Sequence, residues 1–407
     1  MNARQVVIAG AGPAGLMAAI SAAQAGFAVT LLEYLPSVGR KLLASGAGKC
    51  NFTNMLSAES MAERFAPEQR RFVRPALLNF PPEAVREFFL EHGVKYKLVD
   101  DFYCFPVSEK ASDILDVLVD KARFLQVKII CNSPVTELTV KNRRIVQVFS
   151  GQAVYDCDYF IAAGGGPGFP RLGGHGSLDK ILTRCGVSCV PRTPALCGLK
   201  SNACWVQSLA GIVLEKITLT LDKKNITCGT LLFTGDGISG PAALDMAGRV
   251  AKLLAAGNEK VLLAIDFLTQ YSPEELEQIL TQSRQHNGKR LLHNVFNSFL
   301  PQALLHNITE YLHIADTPLN QLSRSAIRNF LAMLKSAPLE VTATDSWNKA
   351  MASTGGVDRS QLKAKTMQSK ELMNLYCAGE MVDVDGPCGG YNIQWALSSG
   401  YLAGSLQ

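Results

Sequence analysis

The chain has 407 residues but lacks any apolar run of about eighteen, the length a membrane-spanning helix needs; Gly, Ser and Gln interrupt even its hydrophobic N-terminal stretch. No transmembrane span or membrane partner is expected. A basic leader followed by a cleavage site is also missing, and the composition predicts a cytoplasmic protein. The eleven cysteines contain no CxxC pair. Cys185 and Cys189 are four apart, yet no second cysteine or histidine cluster completes a tetrahedral site, so no metal is expected. Cysteines inside apolar runs read as reduced core thiols. There is little charge bias: 40 basic residues against 35 acidic ones give a formal charge of +5. The largest basic cluster, Lys141-Asn142-Arg143-Arg144, has the look of a hairpin turn between strands. With 47% hydrophobic residues, the chain can bury a full core and should divide into two or three domains.

Glycine, in contrast, is placed with purpose. Val6-Val7-Ile8-Ala9 runs into Gly10, Gly12 and Gly15 in GxGxxG spacing, and Met17 to Ala25 continues as a helix-forming stretch until Gly26. The pattern reads as strand, tight turn, helix. Gly10 lets the chain turn, Gly12 lets backbone N–H groups approach a pyrophosphate at the helix N-terminus, and Gly15 lets the helix pack on the strand. The next strand, Phe27 to Leu32, ends at Glu33. An acid there can accept both hydroxyls of an adenosine ribose and disfavours a 2′-phosphate, so the nucleotide should be FAD or NAD rather than NADP.

The stretch 35–54 is too glycine-rich and polar for a regular element. Gly46 and Gly48, with Ser45 beside them, expose backbone donors, and Arg40 and Lys41 can neutralise a diphosphate. Residues 57–124 read as mainly helical, with helices at Pro82 to His92 and Ser108 to Phe124, Ser108 serving as N-cap, and a hairpin between them from Val94 to Pro106. Strands follow at 128–132, 133–140, 144–149 and 153–157. Tyr159 to Ala163 then opens into Gly164-Gly165-Gly166, a strand returning to the nucleotide sheet with Ala163 and Gly164 beside the cofactor. From Pro191 to Phe267 short strands predict a small antiparallel sheet or barrel. Residues 272–336 read as helical, starting at Ser272 with Pro273 at the first helical position and an acidic first turn. Leu339 to Asp345 returns to strand, and Ala352 to Val357 reads as a turn. Leu375 to Cys377 is again a strand running into Gly379 and Glu380, then through Asp385, Gly389 and Gly390 into a helix from Ile393 to Ser405. Glu380 or Asp385 can organise a ribityl and pyrophosphate region. The final helix can set N–H donors and a positive dipole end beside flavin N1 and O2.

These motifs resemble the HI0933-like family of FAD-binding flavoproteins, also labelled BaiN/YhiN-like or aminoacetone-oxidase-family. The likeness rests on GAGPAG at 10–15, GRKLLASGAGKCNFTN at 39–54, FPVSEKASDIL at 105–115, ISGPA at 238–242, STGGV at 353–357 and LYCAGEMVDVDGPCGGYNIQWALSSG at 375–400. It implies an α/β fold: a discontinuous Rossmann-like FAD domain at 1–190 and 345–407, an inserted β-barrel-like domain at 191–270 and a helical subdomain at 271–344. It also implies that Ala14, Glu33, Arg40, Lys41, Asn51, Val135, Gly379, Glu380, Asn392 and Ile393 fall on the cofactor, Val135 through backbone bonds to adenine. Two departures stand out. Gly235 follows Leu232-Phe233-Thr234 where many members have histidine, and Asp101 to Pro106 lacks a common arginine. The expected activity is FAD-dependent reduction of a carbon–carbon double bond, in an enone-like molecule or a uracil base in RNA, with NAD(P)H as transient electron donor. The alternatives are an amine or aminoketone oxidase and a nonenzymatic redox sensor. No GxGxxG recurs to form a separate nicotinamide domain. Cys50 and Cys388 are weak catalytic candidates, His175 and His293 weaker acid–base ones. Oligomeric state is left open.

Overall fold

The structure is a computed structural model and describes residues 3–406. It divides into two compact units, one running to Thr193 and resuming at Met351, the other spanning Pro194–Ala350.

In the first unit, the described residues form a seven-stranded sheet ordered 362–363, 368–369, 375–377, 159–162, 5–9, 28–32, 128–130. The last five strands are parallel, with Ile8 opposite both Ile161 and Leu31. Val6–Ala9 and Tyr159–Ala162 are buried along their whole length, which is why they read as unbroken apolar runs rather than alternations. The opening helix, Pro13–Gln24, is buried continuously from Ala14 to Ala22. The closing helix, Tyr391–Gly404, lies against it. Small residues make the contact: a Cβ added at Gly400 would fall 2.3 Å from Ala14 O, and one at Gly404 2.3 Å from Ala18 O. The two backbones therefore touch directly.

Around this centre stand helices Ala58–Ala62, Pro67–Asn79, Pro82–Glu91 and Ala111–Phe124, and the hairpin Tyr96–Val99/Tyr103–Pro106. The helix expected from Ser108 starts later. Glu109 has φ +54°, outside the right-handed region, and Ser108 donates to Asp113 Oδ2 (2.6 Å) and accepts Lys110 N–H (3.3 Å) ahead of the helix, which begins at Ala111. Ala352–Val357, expected to turn, is a fully buried strand.

In the second unit the described strands form one antiparallel sheet ordered 337–341, 261–266, 213–220, 226–234, 237–239, 199–200, 343–344. Its two edge strands are consecutive in sequence, joined by Thr342, whose N–H donates to Lys200 O (3.0 Å). The sheet is curled, helped by a bulge between Leu214 and Ile217, but no ladder joins its edges. It is barrel-like without being a closed barrel. A helix, Pro241–Ala255, interrupts the region read from sequence as strands only. Helices Pro273–Asn287, Gln302–Tyr311 and Arg324–Ser336 bury Leu276, Leu304 and Phe330 in the same apolar cluster as sheet residues Ile217, Phe233 and Ile265. Sheet and helices thus share a single core. No described helix is long and apolar enough to cross a membrane.

Candidate functional site

The first unit builds a site from both ends of its chain. Gly10 turns at φ +99°, and a Cβ there would lie 2.4 Å from Ala163 O. At Gly15 a Cβ would lie 1.8 Å from Gly10 O, whereas at Gly12 it would meet nothing within 4 Å. Two glycines are filled by the fold and one faces open space. That space lies at the start of the opening helix, which has Pro13 in its first turn and no side-chain cap. Its first N–H groups therefore lack intrahelical acceptors and suit an anion.

Glu33 ends the second strand and is 9% exposed. Its Oε2 accepts Ala11 N–H (2.7 Å) and its Oε1 accepts Leu35 N–H (2.9 Å). Each oxygen keeps a lone pair, so the carboxylate is oriented without being saturated. Ser133 N–H donates to Glu33 O (2.7 Å), which brings the 133–135 segment alongside. Val135 is half-buried, and its N–H and C=O take no part in backbone pairing, leaving both available to an adenine edge.

The loop 39–54 is fixed at both ends. Gly39 N–H donates to Ala11 O (3.0 Å), and Asn54 Nδ2 donates to Gly389 O (3.0 Å). Among the described residues Arg40 has no ion-pair partner, while Lys41 Nζ lies 2.7 Å from Glu380 Oε2. Gly46, Ala47 and Gly48 have φ of +55°, +55° and +87° in an exposed turn. Ser45 Oγ bonds inward to Leu42 O (2.6 Å), and the Asn51 amide, oriented to satisfy its neighbours, donates to Thr53 O (2.8 Å) and Cys104 O (3.2 Å). The side chains of Ser45 and Asn51 use their donors to shape the loop.

Ala163 N–H donates to Ala9 O (2.9 Å), placing Ala163 and Gly164 beside the Gly10 turn. Gly379 is held by Ser399 Oγ on its N–H (2.8 Å) and by Trp395 Nε1 on its C=O (3.1 Å). The closing helix begins at Gly390, φ +86°, and has no side-chain cap. Its start is locked by a buried bond from Thr53 Oγ1 to Gln394 Oε1 (2.6 Å). The Asn392 side chain clamps its own loop, accepting Gly386 N–H and donating to Gly386 O at 2.8 Å each, so the backbone N–H groups of Asn392 and Ile393 are what the helix offers a cofactor. Asp385 accepts Gln69 Nε2 (3.0 Å), away from Glu380's partners.

Glu380 lies in a chain of charges of both signs. Glu380 Oε1 accepts Ser353 N–H (2.8 Å) and Ser353 Oγ (2.9 Å), and Arg192 donates to the Glu380 carbonyl (2.9 Å) and to Ser353 Oγ (3.0 Å). Burial alone would raise the Glu380 carboxyl; the charge and hydrogen bond of Lys41, the charge of Arg192 and the Ser353 hydroxyl outweigh it and hold the group below the usual carboxylate range. Asp383 accepts Gly355 N–H (2.8 Å) on the neighbouring turn. Arg192, Asp179, Ser353 and Asp383 are absent from the sequence-derived set. Arg192 and Asp179 are lone charges with no characteristic spacing and give no sequence signal; Ser353 lies in STGGV and Asp383 in the 375–400 motif, but neither motif shows that its polar group meets the others.

The weak candidates fare differently. Cys50 is wholly buried, and burial, partly offset by Ser45, pushes its thiol up to about 12. It is a neutral core thiol at physiological pH, not a nucleophile. Cys388 is half-buried in the loop before the closing helix, and no disulfide occurs among the described residues. His175 stacks edge-on with Tyr34 (4.8 Å). His293 lies in the second unit against His306 (5.4 Å), and burial first, then His306, lowers its pKa. No described cluster could hold a metal. In the second unit, a Cβ at Gly235 would meet nothing within 4 Å, so the place of the family's histidine is open. Asp236 beside it pairs with Lys200.

An open cradle at Gly12, an oriented acid at Glu33, free backbone groups at Val135 and a second uncapped helix start at Gly390 fit an FAD stretched between the two helices. Fold and site together define an FAD-dependent oxidoreductase with a Rossmann-type nucleotide domain. The chain belongs to the HI0933-like family: the family model for the HI0933-like protein Rossmann domain matches residues 4–406. It is 30% identical over 407 residues to the 3-dehydro-bile acid delta(4,6)-reductase of Clostridium scindens, covering 98% of each chain. It is likewise 30% identical over 404 residues to the ribosomal RNA dihydrouridine synthase of Haemophilus influenzae, covering 97% of this chain and 96% of that one. Among solved structures, 3-ketosteroid delta1-dehydrogenase from Sterolibacterium denitrificans shares the fold, with a TM-score of 0.52, 12% identity and coverage of 100% and 99% of the two chains.

Proposed function

We propose that the protein reduces a carbon–carbon double bond conjugated to a carbonyl, in an enone-like small molecule or a uracil-type base, with NAD(P)H as electron donor. The observation that carries this reading is the start of the closing helix. Fourteen residues of helix dipole end at Gly390 without a cap, held rigidly by the Thr53–Gln394 bond. A positive helix end favours negative charge beside it, the condition under which a reduced flavin is a good hydride donor. Both relatives' names denote saturation of such a bond.

Bound FAD supplies the two-electron chemistry; the chain supplies position and charge. Lys41 and Arg40 would balance the diphosphate, Glu33 would hold the ribose, Val135 the adenine, and the N–H groups of Asn392 and Ile393 the pyrimidine edge of the ring. Overall the substrate gains a hydride and a proton while NAD(P)H loses a hydride.

Anaerobic stopped-flow tests the proposal. NADH or NADPH should bleach the flavin absorbance, and an enone or a uridine-containing RNA should restore it, with the saturated product found by mass spectrometry. Reoxidation by neither, together with flavin reduction by an aminoketone, would replace this reading with an oxidase. A flavin that no donor reduces would favour the redox sensor.

A further inference from the structure

No motif includes Arg192, yet it is among the most enclosed charges in the first unit. Its side chain is 7% exposed, and Asp179, its ion-pair partner, is 17% exposed. All three of its guanidinium nitrogens are hydrogen-bonded. Nε and Nη2 grip the two oxygens of Asp179, the second at 2.9 Å, while Nη1 reaches Ser353 Oγ and the Glu380 carbonyl. Ser353 passes the contact on, its hydroxyl accepting from Arg192 and donating to Glu380 Oε1. Glu380 Oε2 then receives Lys41 Nζ. Asp179, Arg192, Glu380 and Lys41 thus alternate in sign along one hydrogen-bonded line.

The line has a closed end and an open end. Arg192 is sealed, but the Lys41 and Glu380 side chains are 29% and 22% exposed, within reach of a ligand. Gly166 marks how tightly the inner part is built. A Cβ there would lie 2.1 Å from Ser353 Oγ, 2.6 Å from Glu380 Oε1 and 2.9 Å from Arg192 Nη1. Buried ion pairs are a weak source of stability, because desolvation cancels most of their attraction. A line that runs from the interior to an exposed ammonium is better explained by what it holds in place.

We infer that Arg192 is a positioning residue for FAD: through Ser353 and Glu380 it fixes the Lys41 ammonium where the diphosphate binds. Lys41 keeps two N–H donors beyond its bond to Glu380, and these would be left to meet the anion. Without Arg192, Ser353 loses its donor, the Glu380 carboxylate is free to turn, and Lys41 loses its anchor. This inference rests on the placement of FAD given above.

The test is a double-mutant cycle read as FAD affinity of the apoprotein, by quenching of flavin fluorescence, with thermal melting of each apoprotein as the measure of folding. Lys41→Met and Arg192→Gln should each weaken FAD binding by about tenfold or more. The double variant should bind no worse than Lys41→Met alone, since Arg192 acts through Lys41. Arg192→Lys, which keeps the charge but not the fork, should recover only part of the affinity. Multiplicative losses in the double variant would overturn the inference while leaving the FAD site standing. A Lys41→Met protein that binds FAD like the native chain would overturn the placement of the diphosphate as well. Should Arg192→Gln fail to fold, Ser353→Ala breaks the same line at a smaller side chain and is carried through the same cycle.

Discussion

Gly12 offers the sharpest test of where the cofactor lies, because its fold role and its ligand role separate. Its φ and ψ are −80° and −177°, which alanine adopts freely, and a Cβ would meet nothing within 4 Å. Alanine reduces the freedom of the unfolded chain, worth about 0.4–1 kcal/mol, but is a poorer helix N-cap than glycine by a similar amount. Gly12→Ala should therefore leave apoprotein stability within about 1 kcal/mol of native. The new methyl enters the space at the helix start, where it would hold the diphosphate off the N–H groups. Loss of one hydrogen bond to a charged group is worth about 1.5–3 kcal/mol, or roughly 10- to 150-fold in Kd. Gly15→Ala makes the contrast: its Cβ would sit 1.8 Å from Gly10 O, so the helix must move and the melting temperature should fall. The assay is FAD titration of each apoprotein beside its thermal melt. Native FAD affinity in Gly12→Ala, with a native melt, would refute the reasoning.

Three further outcomes follow from the same contacts. Glu33→Gln leaves one of the Ala11 and Leu35 N–H groups without an acceptor, and urea unfolding should show a loss of about 1–3 kcal/mol along with weaker FAD binding. Gln394→Leu removes the acceptor of the buried Thr53 hydroxyl and the donor to Phe80 O, and should cost about 1–3 kcal/mol by the same measurement. Because the Cys50 thiol is raised to about 12, it stays protonated as pH rises from about 7 to 9. Its iodoacetamide labelling in the folded protein should stay flat over that range and appear only on unfolding. Cys50→Ala should still transfer hydride per bound flavin, and a dead but flavin-loaded variant would show the thiol matters after all.

What the sequence reveals here is whatever is local. The Gly10 turn, the end of the strand at Glu33 and the closing helix each carry their cause within a few residues. Where distant parts decide, the reading goes astray. Two glycines make Ala352–Val357 look like a turn, but Gly355, φ +79°, lets the strand approach so closely that a Cβ would lie 2.4 Å from Pro191 O. The helix Pro241–Ala255 carries a start signal, Gly240 then Pro241, that sits amid strands and is easily passed over. Ser108 fails as a cap because its neighbour Glu109 turns the chain. The Arg192 line joins five residues from five separate elements, and nothing in their spacing announces that they meet.

The direct contact of the opening and closing helices, Ala14 against Gly400 and Ala18 against Gly404, sets an order on biosynthesis. A nascent chain that has emerged only to Ala350 already owns the Gly10 turn and Glu33, but Glu380 and the closing helix have yet to be made. The whole of Pro194–Ala350 must be translated before the two parts of the first unit can meet. A nucleotide held by both helices would therefore be captured late in synthesis, and until then the unpaired helix face of Pro13–Gln24 is open to misassociation.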